Sequence, residues 1–211
     1  MAIVALHSAA TGLSAMSTAI DVISNNLANV NTTGYKDLRC NFQDLIYQEK
    51  QQPGVENANG DQRPAGLFVG LGTKIANTQA NFEQGPTIPT GQPLDMMIQG
   101  NGFFKVDILA SQGDTGYTRS GNFFTNRDGE IVLGNSDGPR LEPPITIPPE
   151  ATTVNIASDG TVSVLLNGDT ELTEVGQIQL ASFVNPAGLR QIGGNLWVES
   201  AASGAQTEDG R

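Results

Sequence analysis

The sequence predicts a mainly β fold: an irregular all-β outer domain preceded by one long N-terminal α-helix. Three observations carry that prediction. Residues 6–30 place apolar side chains at alternating spacings of three and four, the period of a helix. From Leu94 onward, short runs of β-branched and aromatic residues are separated by Asn-Gly and Asp-Gly dipeptides, which favour tight hairpin turns. Gly (25) and Pro (11) are abundant in the 211 residues, while hydrophobic content is 38%, a balance that suits a turn-rich β protein.

The helix is expected over residues 3–30, roughly 40 Å at about 1.5 Å per residue. Leu6, Ala9, Leu13, Met16, Ile20, Ile23, Leu27 and Val30 line one stripe of it. The rest is Ser, Thr, Ala and Asn, with Gly12 and His7, and Asp21 is the one charged side chain before Lys36. A surface helix normally shows water a charged face. This one is expected to be covered all round by other protein, since little downstream offers a cover. The apolar stripe is therefore read as an assembly seam. The Asn- and Thr-rich run from Asn25 ends the helix, because these side chains compete for backbone hydrogen bonds, and Gly34 permits a positive φ at the turn.

Residues 35–93 read as an extended linker and a long hairpin-like segment. Phe42, Leu45, Ile46 and Tyr47 fit either a short helical turn or an extended anchor. Residues 51–66 have almost nothing to bury and read as a loop or hairpin tip. Residues 67–72 and 73–82 read as strands paired with each other. The outer β domain is expected over 94–200, with strands at 95–99, 103–106, 116–119, 122–125, 131–133, 153–156, 161–166, 177–184 and 196–199. Turns fall at Asn101-Gly102, Asp128-Gly129, Asp137-Gly138, Asp159-Gly160 and Asn167-Gly168. Pro143, Pro144, Pro148 and Pro149 form a stiff connector, and residues 201–211 read as a loose tail.

Charge and composition exclude several functions. Net charge is −11, and residues 37–211 hold all but one of the 22 acids, so the body repels phosphate backbones and no nucleic-acid partner is expected. Cys40 is alone, which rules out an internal disulfide and a thiolate metal cage. The N-terminus lacks the basic n-region of a cleavable signal peptide, and polar residues interrupt every turn of the apolar stretch, so no membrane insertion is expected. His7 is the one histidine and sits on the polar side of the helix, which leaves no Ser/His/Asp set. Asp128, Glu130 and Asp137 sit beside turn glycines, where carboxylates are ordinary, and no loop has calcium-ligand spacing. Gly70-Leu71-Gly72 is a lone Gly-x-Gly without a following helix. The chain is read as no enzyme: no catalytic, cofactor-binding or metal residue is assigned, and no cofactor is expected.

The run Ser24-Asn25-Asn26-Leu27-Ala28-Asn29-Val30-Asn31-Thr32-Thr33-Gly34-Tyr35-Lys36 closely resembles the N-terminal signature of the bacterial flagellar rod and hook proteins. Its family-signature positions are Asn25, Asn26, Leu27, Ala28, Asn29, Asn31, Thr32, Gly34 and Tyr35, the last standing where Phe is more common. Asn41 to Gln48, Phe82-Glu83-Gln84-Gly85, Gly100-Asn101-Gly102-Phe103-Phe104, Tyr117-Thr118-Arg119 and Phe183 to Leu189 look like the distal-rod branch of that family. The resemblance implies a basal-body distal-rod subunit, stacked helically with copies of itself into a rigid shaft that carries torque from motor to hook. It implies residues 1–34 as an inner-tube assembly helix and a brace between neighbours at about 37–72. It also implies partners in the proximal rod, hook and surrounding rings, and type III export, without a cleavable signal, to a rod crossing the periplasm. The family's C-terminal partner helix is absent from these residues, which hold no second heptad seam. The alternatives are a hook or proximal-rod subunit and, outside the family, a soluble β binding module.

Overall fold

The computed structural model describes residues 2–56, 61–109, 111–168 and 171–209, and these form two compact units. One unit comprises Met1–Val30 with Asp37–Asn81; the other comprises Asn31–Lys36 with Phe82–Arg211.

In the first unit, helix α1 runs Ala2–Ala28, so Val30 lies just past its end. The segment after it is one long antiparallel hairpin in two registers. Strand β1 (Leu38–Asp44) pairs with β4 (Thr73–Ala80), from Leu38 opposite Ala80 to Asp44 opposite Thr73. Strand β2 (Tyr47–Gln51) pairs with β3 (Leu67–Gly70). The two ladders are joined by Leu45 N–H donating to Gly72 O (2.9 Å) and Leu71 N–H donating to Ile46 O (3.2 Å). Pairing continues outward to a bridge between Glu56 and Gln62; residues 57–60 lie outside the described residues. Phe42 to Tyr47 are thus extended, without a helical turn.

Two sequence expectations are corrected here. Residues 67–72 and 73–82 do not pair with each other; they are successive parts of one returning arm, and both pair with the outgoing arm at 38–51. Gly72 resembles a turn residue in sequence, but its positive φ (114°) serves a close approach instead. A Cβ there would meet Thr11 Oγ1 and Ser8 Cα of the helix. The helix is likewise not left bare on all sides, because β1 and β4 cover one face of it.

The second unit is all-β. Strands β5 (Phe103–Asp107), β6 (Thr115–Thr118), β7 (Phe123–Thr125), β8 (Ile131–Leu133) and β9 (Arg140–Glu142) build the centre of a nine-stranded sheet. That sheet is completed by β13 (Leu180–Ser182), β14 (Arg190–Gly193), β15 (Leu196–Val198) and β16 (Thr207–Asp209). Its order is β14-β15-β6-β5-β9-β8-β7, with β13 pairing to β5 and β16 to β13. Strands β10 (Ala151–Ile156), β11 (Thr161–Leu166) and β12 (Thr173–Gln177) make a separate three-stranded sheet. Gly102, Gly129, Gly138, Gly160 and Gly168 all take positive φ, as the turn dipeptides predict. Val162 and Val164 of β11 join Phe104, Val106, Leu133 and Leu141 in one buried cluster.

Two strands and the C-terminal tail differ from expectation. Residues 177–184 are two strands in two sheets: Gln177 pairs with Thr161, whereas Leu180 pairs with Phe104. The chain crosses at Ile178, whose N–H donates to Gly160 O while its side chain enters the core, so the alternation runs unbroken through the crossing. Residues 95–99 form one bridge, Asp95 to Asn122, and no strand. Residues 201–211 are no loose tail where described: Ser203 is buried and β16 pairs with β13; residues 210–211 lie outside the description. The tail's low hydrophobicity misleads because the backbone ladder holds it.

The other face of the large sheet carries an aromatic cluster. Phe82 packs edge-on against Phe103 and Trp197 (centroids 5.3 and 5.0 Å), and Phe183 does so against Phe103 and Tyr117 (5.9 and 4.7 Å). Tyr117 Oη donates to Gln206 Oε1 at 3.0 Å. Burial, then the carboxylates of Glu199 and Glu142, push its phenol up to about 12. A folded value above the unfolded one, about 10, stabilises the fold fully below pH 10, and that stability is lost as pH rises through 12. Urea unfolding from pH 9 to 12 should show that loss, and Tyr117→Phe should make it shallower. An equally steep loss in the variant refutes the assignment.

Candidate functional site

Two faces of α1 have opposite fates. Val4, Ser8, Thr11, Gly12, Ala19, Val22 and Asn26 are half-buried, and Ala15 is 4% exposed. These residues recur every three or four positions and are mostly small, so the ribbon backbone approaches closely. Ser8 Oγ donates to Gly70 O (3.4 Å) and Thr73 N–H donates to Thr11 Oγ1 (3.4 Å). The uncharged polar residues that looked anomalous for a surface helix are the seat of the protein's own hairpin.

The seam is the other face. Leu6, Leu13, Met16, Ile20, Ile23, Leu27 and Val30 are between 56% and 74% exposed, and Ala9 is exposed with them. Ile3, missed by the sequence reading, extends the stripe by one step and is 82% exposed. By length and composition Ile3–Ala28 is apolar enough to cross a membrane. Its two-sidedness argues differently, since a lipid-spanning helix has no use for a polar stripe already occupied by a ribbon.

The signature run has a geometric account that spacing alone could not supply. Asn26 clamps the start of β1 with both ends of its amide: Nδ2 donates to Leu38 O (2.7 Å), and Oδ1 accepts from Leu38 N–H (3.1 Å). Asn29 turns back onto Asn25, its Nδ2 reaching Asn25 O (3.0 Å) and Oδ1 (3.2 Å). Leu27 and Ala28 finish the helix and are exposed. Past the helix, Asn31 is exposed, and Thr32 O accepts from Tyr35 N–H (3.2 Å), closing a turn. Thr33 O accepts from Asn195 Nδ2 at 2.9 Å. Asn195 itself has φ 59°, a left-handed conformation that Asn tolerates better than most residues. Gly34 has φ 75°, and a Cβ there would come within 2.7 Å of Ser120 Cα. Lys36 Nζ donates to Glu83 O at 2.7 Å. Asn195 and Ser120 lie far along the chain, and no local pattern marks them.

Among the described residues no group of three His, Cys, Asp or Glu side chains could hold a metal ion. His7 is exposed and Cys40 half-buried. Arg119, whose guanidinium is lowered by burial, donates to Gly102 O and Gly100 O and lies 5.4 Å above the Phe103 ring, a structural arrangement.

Residues 6–36, the seam and signature together, match the family profile described as flagella basal body rod protein. Residues 97–164 match that of the flagellar hook protein FlgE/F/G D1 domain. Along nearly its whole length the chain is 47% identical to the flagellar basal-body rod protein FlgG of Caulobacter vibrioides, over 204 residues that make up 96% of this chain and 76% of that protein. The chain belongs to the flagellar basal-body rod protein family. A second rod relative, FlgG of Borreliella burgdorferi, is 44% identical over the same shares of both chains. The chain thus spans about three quarters of the length of these rod proteins. The hook protein FlgE of Treponema pallidum is 42% identical over only 60% of this chain and 27% of its own length, so rod is favoured over hook. The rod-family profile covers the exposed seam and the pinned turn as one block, from Leu6 to Lys36.

Proposed function

We propose that the chain is a structural subunit of the flagellar distal rod, assembling with copies of itself through the apolar face of α1. The observation that carries this reading is the unpartnered stripe of Leu6, Leu13, Met16, Ile20, Ile23 and Leu27 on a helix whose other face is already occupied. Each such side chain gains about 1.5–3 kcal/mol when fully buried. Contacts of this kind that do not close into a ring build an open filament, and many of them in parallel resist torsion. Proximal rod, hook and ring proteins are the expected neighbours at the ends and flanks of such a shaft. The long hairpin serves as a brace, since the ribbon of β2 and β3 exposes apolar residues and a two-stranded ribbon is marginal on its own. Delivery as an unfolded chain by the flagellar export apparatus suits a subunit whose assembly helix gains its partners only in the polymer.

Sedimentation of the purified chain tests the reading. Species far heavier than the 22.2 kDa chain should accumulate as concentration rises. A particle that stays monomeric at high concentration and binds a carbohydrate would point instead to a soluble β binding module.

A further inference from the structure

Residues 95–99 read as a strand in sequence, yet pairing stops at Asp95 and at Met96 N–H, which donates to Gly121 O. Among the described residues, no backbone hydrogen bond engages Met97, Ile98 or Gln99. Their side chains still alternate as a strand's do: Ile98 is buried in the core, while Met97 and Gln99 face outward. This empty ladder forms one wall of a cleft of about 460 Å³, whose floor includes Phe104, Ile156 and Leu180. A strand sequence with no neighbouring strand, beside a cleft lined by both apolar and uncharged polar side chains, is the geometry of strand addition: main-chain bonds give affinity and the cleft takes alternate side chains.

The same chain displays a strand suited to fill it. β3 (Leu67–Gly70) pairs on one side with β2; among the described residues its other edge has no partner strand, and the one contact there is Ser8 Oγ on Gly70 O at its end. It reads Leu-Phe-Val-Gly, with no charge and no proline, and Leu67, Phe68 and Val69 are 50%, 51% and 38% exposed. Natural edge strands are usually guarded by charge, proline or a cover; β2 carries Glu49 and Lys50, whereas β3 carries nothing of the kind. Among the described residues that line it, the cleft likewise has no basic side chain and one acidic one, Asp159. The lengths agree too, since four residues of strand span about 13 Å and the three empty positions about 10 Å.

We propose that β3 of a second copy of this chain adds as a strand along Met97–Gln99 and lays its apolar side chains over the cleft. The proposal rests on the self-assembly reading and identifies the acceptor for the brace. The contact is heterologous, donor edge on one copy and cleft on the next, so it propagates along a filament.

The test uses the full chain with Cys40→Ser, so that the introduced thiols are alone. Copies carrying Gln99→Cys are mixed with copies carrying Phe68→Cys and mildly oxidised; both positions are exposed, so folding is not at stake. A disulfide forms only where Cβ atoms come within roughly 4.5 Å. The mixed dimer should exceed, by about ten-fold, that formed when the second cysteine is placed at exposed Val184 instead. Failure to cross-link above that control, while the variants still sediment as polymer, overturns strand addition and leaves the assembly reading standing. Failure to cross-link with no polymer at all overturns both. A chain carrying both cysteines that closes on itself as a fast-migrating monomer overturns the second copy as the occupant.

Discussion

Replacing Leu13 and Ile20 together by Asp is expected to abolish incorporation into rods while leaving the single chain folded. The two side chains lie on one stripe of α1, about two turns apart, and are 74% and 62% exposed, so neither is part of the chain's own core. The stripe that meets the ribbon, centred on Ala15, is untouched. In the assembled state the two carboxylates would be carried into an apolar contact, at a cost of several kcal/mol each without a partner charge. That exceeds what two apolar side chains of this size contribute, about 1.5–3 kcal/mol each. Motility and counts of rods in a strain supplied only with the variant check the outcome, alongside thermal unfolding of the purified chain. If rods of normal number persist, the seam is not the assembly surface. If instead the isolated variant unfolds, α1 is a core helix of its own chain.

The seam is legible in the sequence because it is one-dimensional: spacings of three and four need only a helix to become a stripe, and Ala2–Ala28 is that helix. The turns are legible for a similar reason, since Asp159-Gly160 or Asn167-Gly168 states its own geometry within two residues. What covers the polar stripe is not legible. Ser8 and Thr11 meet Gly70 and Thr73 some sixty positions later, and the partners of a small residue leave no mark on its neighbours. The crossing at Ile178 escapes for a different reason. Periodicity records which side of a sheet a residue faces, not which sheet, and both sheets here share one core. Tails and late strands such as β16 escape because their order comes from backbone pairing rather than apolar content. The signature is recognisable by pattern, but the clamp of Asn26 on Leu38 and the close approach of Gly34 to Ser120 are three-dimensional facts.

The second large effect concerns Gly34, and it separates two glycines that look alike in sequence. Gly12 lies inside α1 with nothing within 4 Å of the position a Cβ would take. Gly12→Ala should therefore stabilise the helix by up to about 1 kcal/mol, through helix propensity alone. Gly34 has φ 75°, and its Cβ would stand 2.7 Å from the backbone of Ser120. Gly34→Ala adds a left-handed penalty of about 1–2 kcal/mol to a clash with atoms that cannot rotate away. Overpacking of that kind costs typically 1–3 kcal/mol. The loss cannot grow without limit, because residues 31–36 can release Asn195 and lift off once the strain passes the energy of their docking. Gly34→Ala is thus expected to cost about 2–4 kcal/mol, a fall in Tm of roughly 5–15 °C by the usual size scaling. Hydrogen exchange should show Tyr35 N–H, bonded to Thr32 O, losing protection before the strands of the large sheet do. Equal Tm for Gly34→Ala and the parent, or faster exchange in β5 than at Tyr35, would show that the signature glycine is not held as the geometry requires. Should the variant fold yet fail to build rods, the pinned turn and not the helix alone is what the signature preserves.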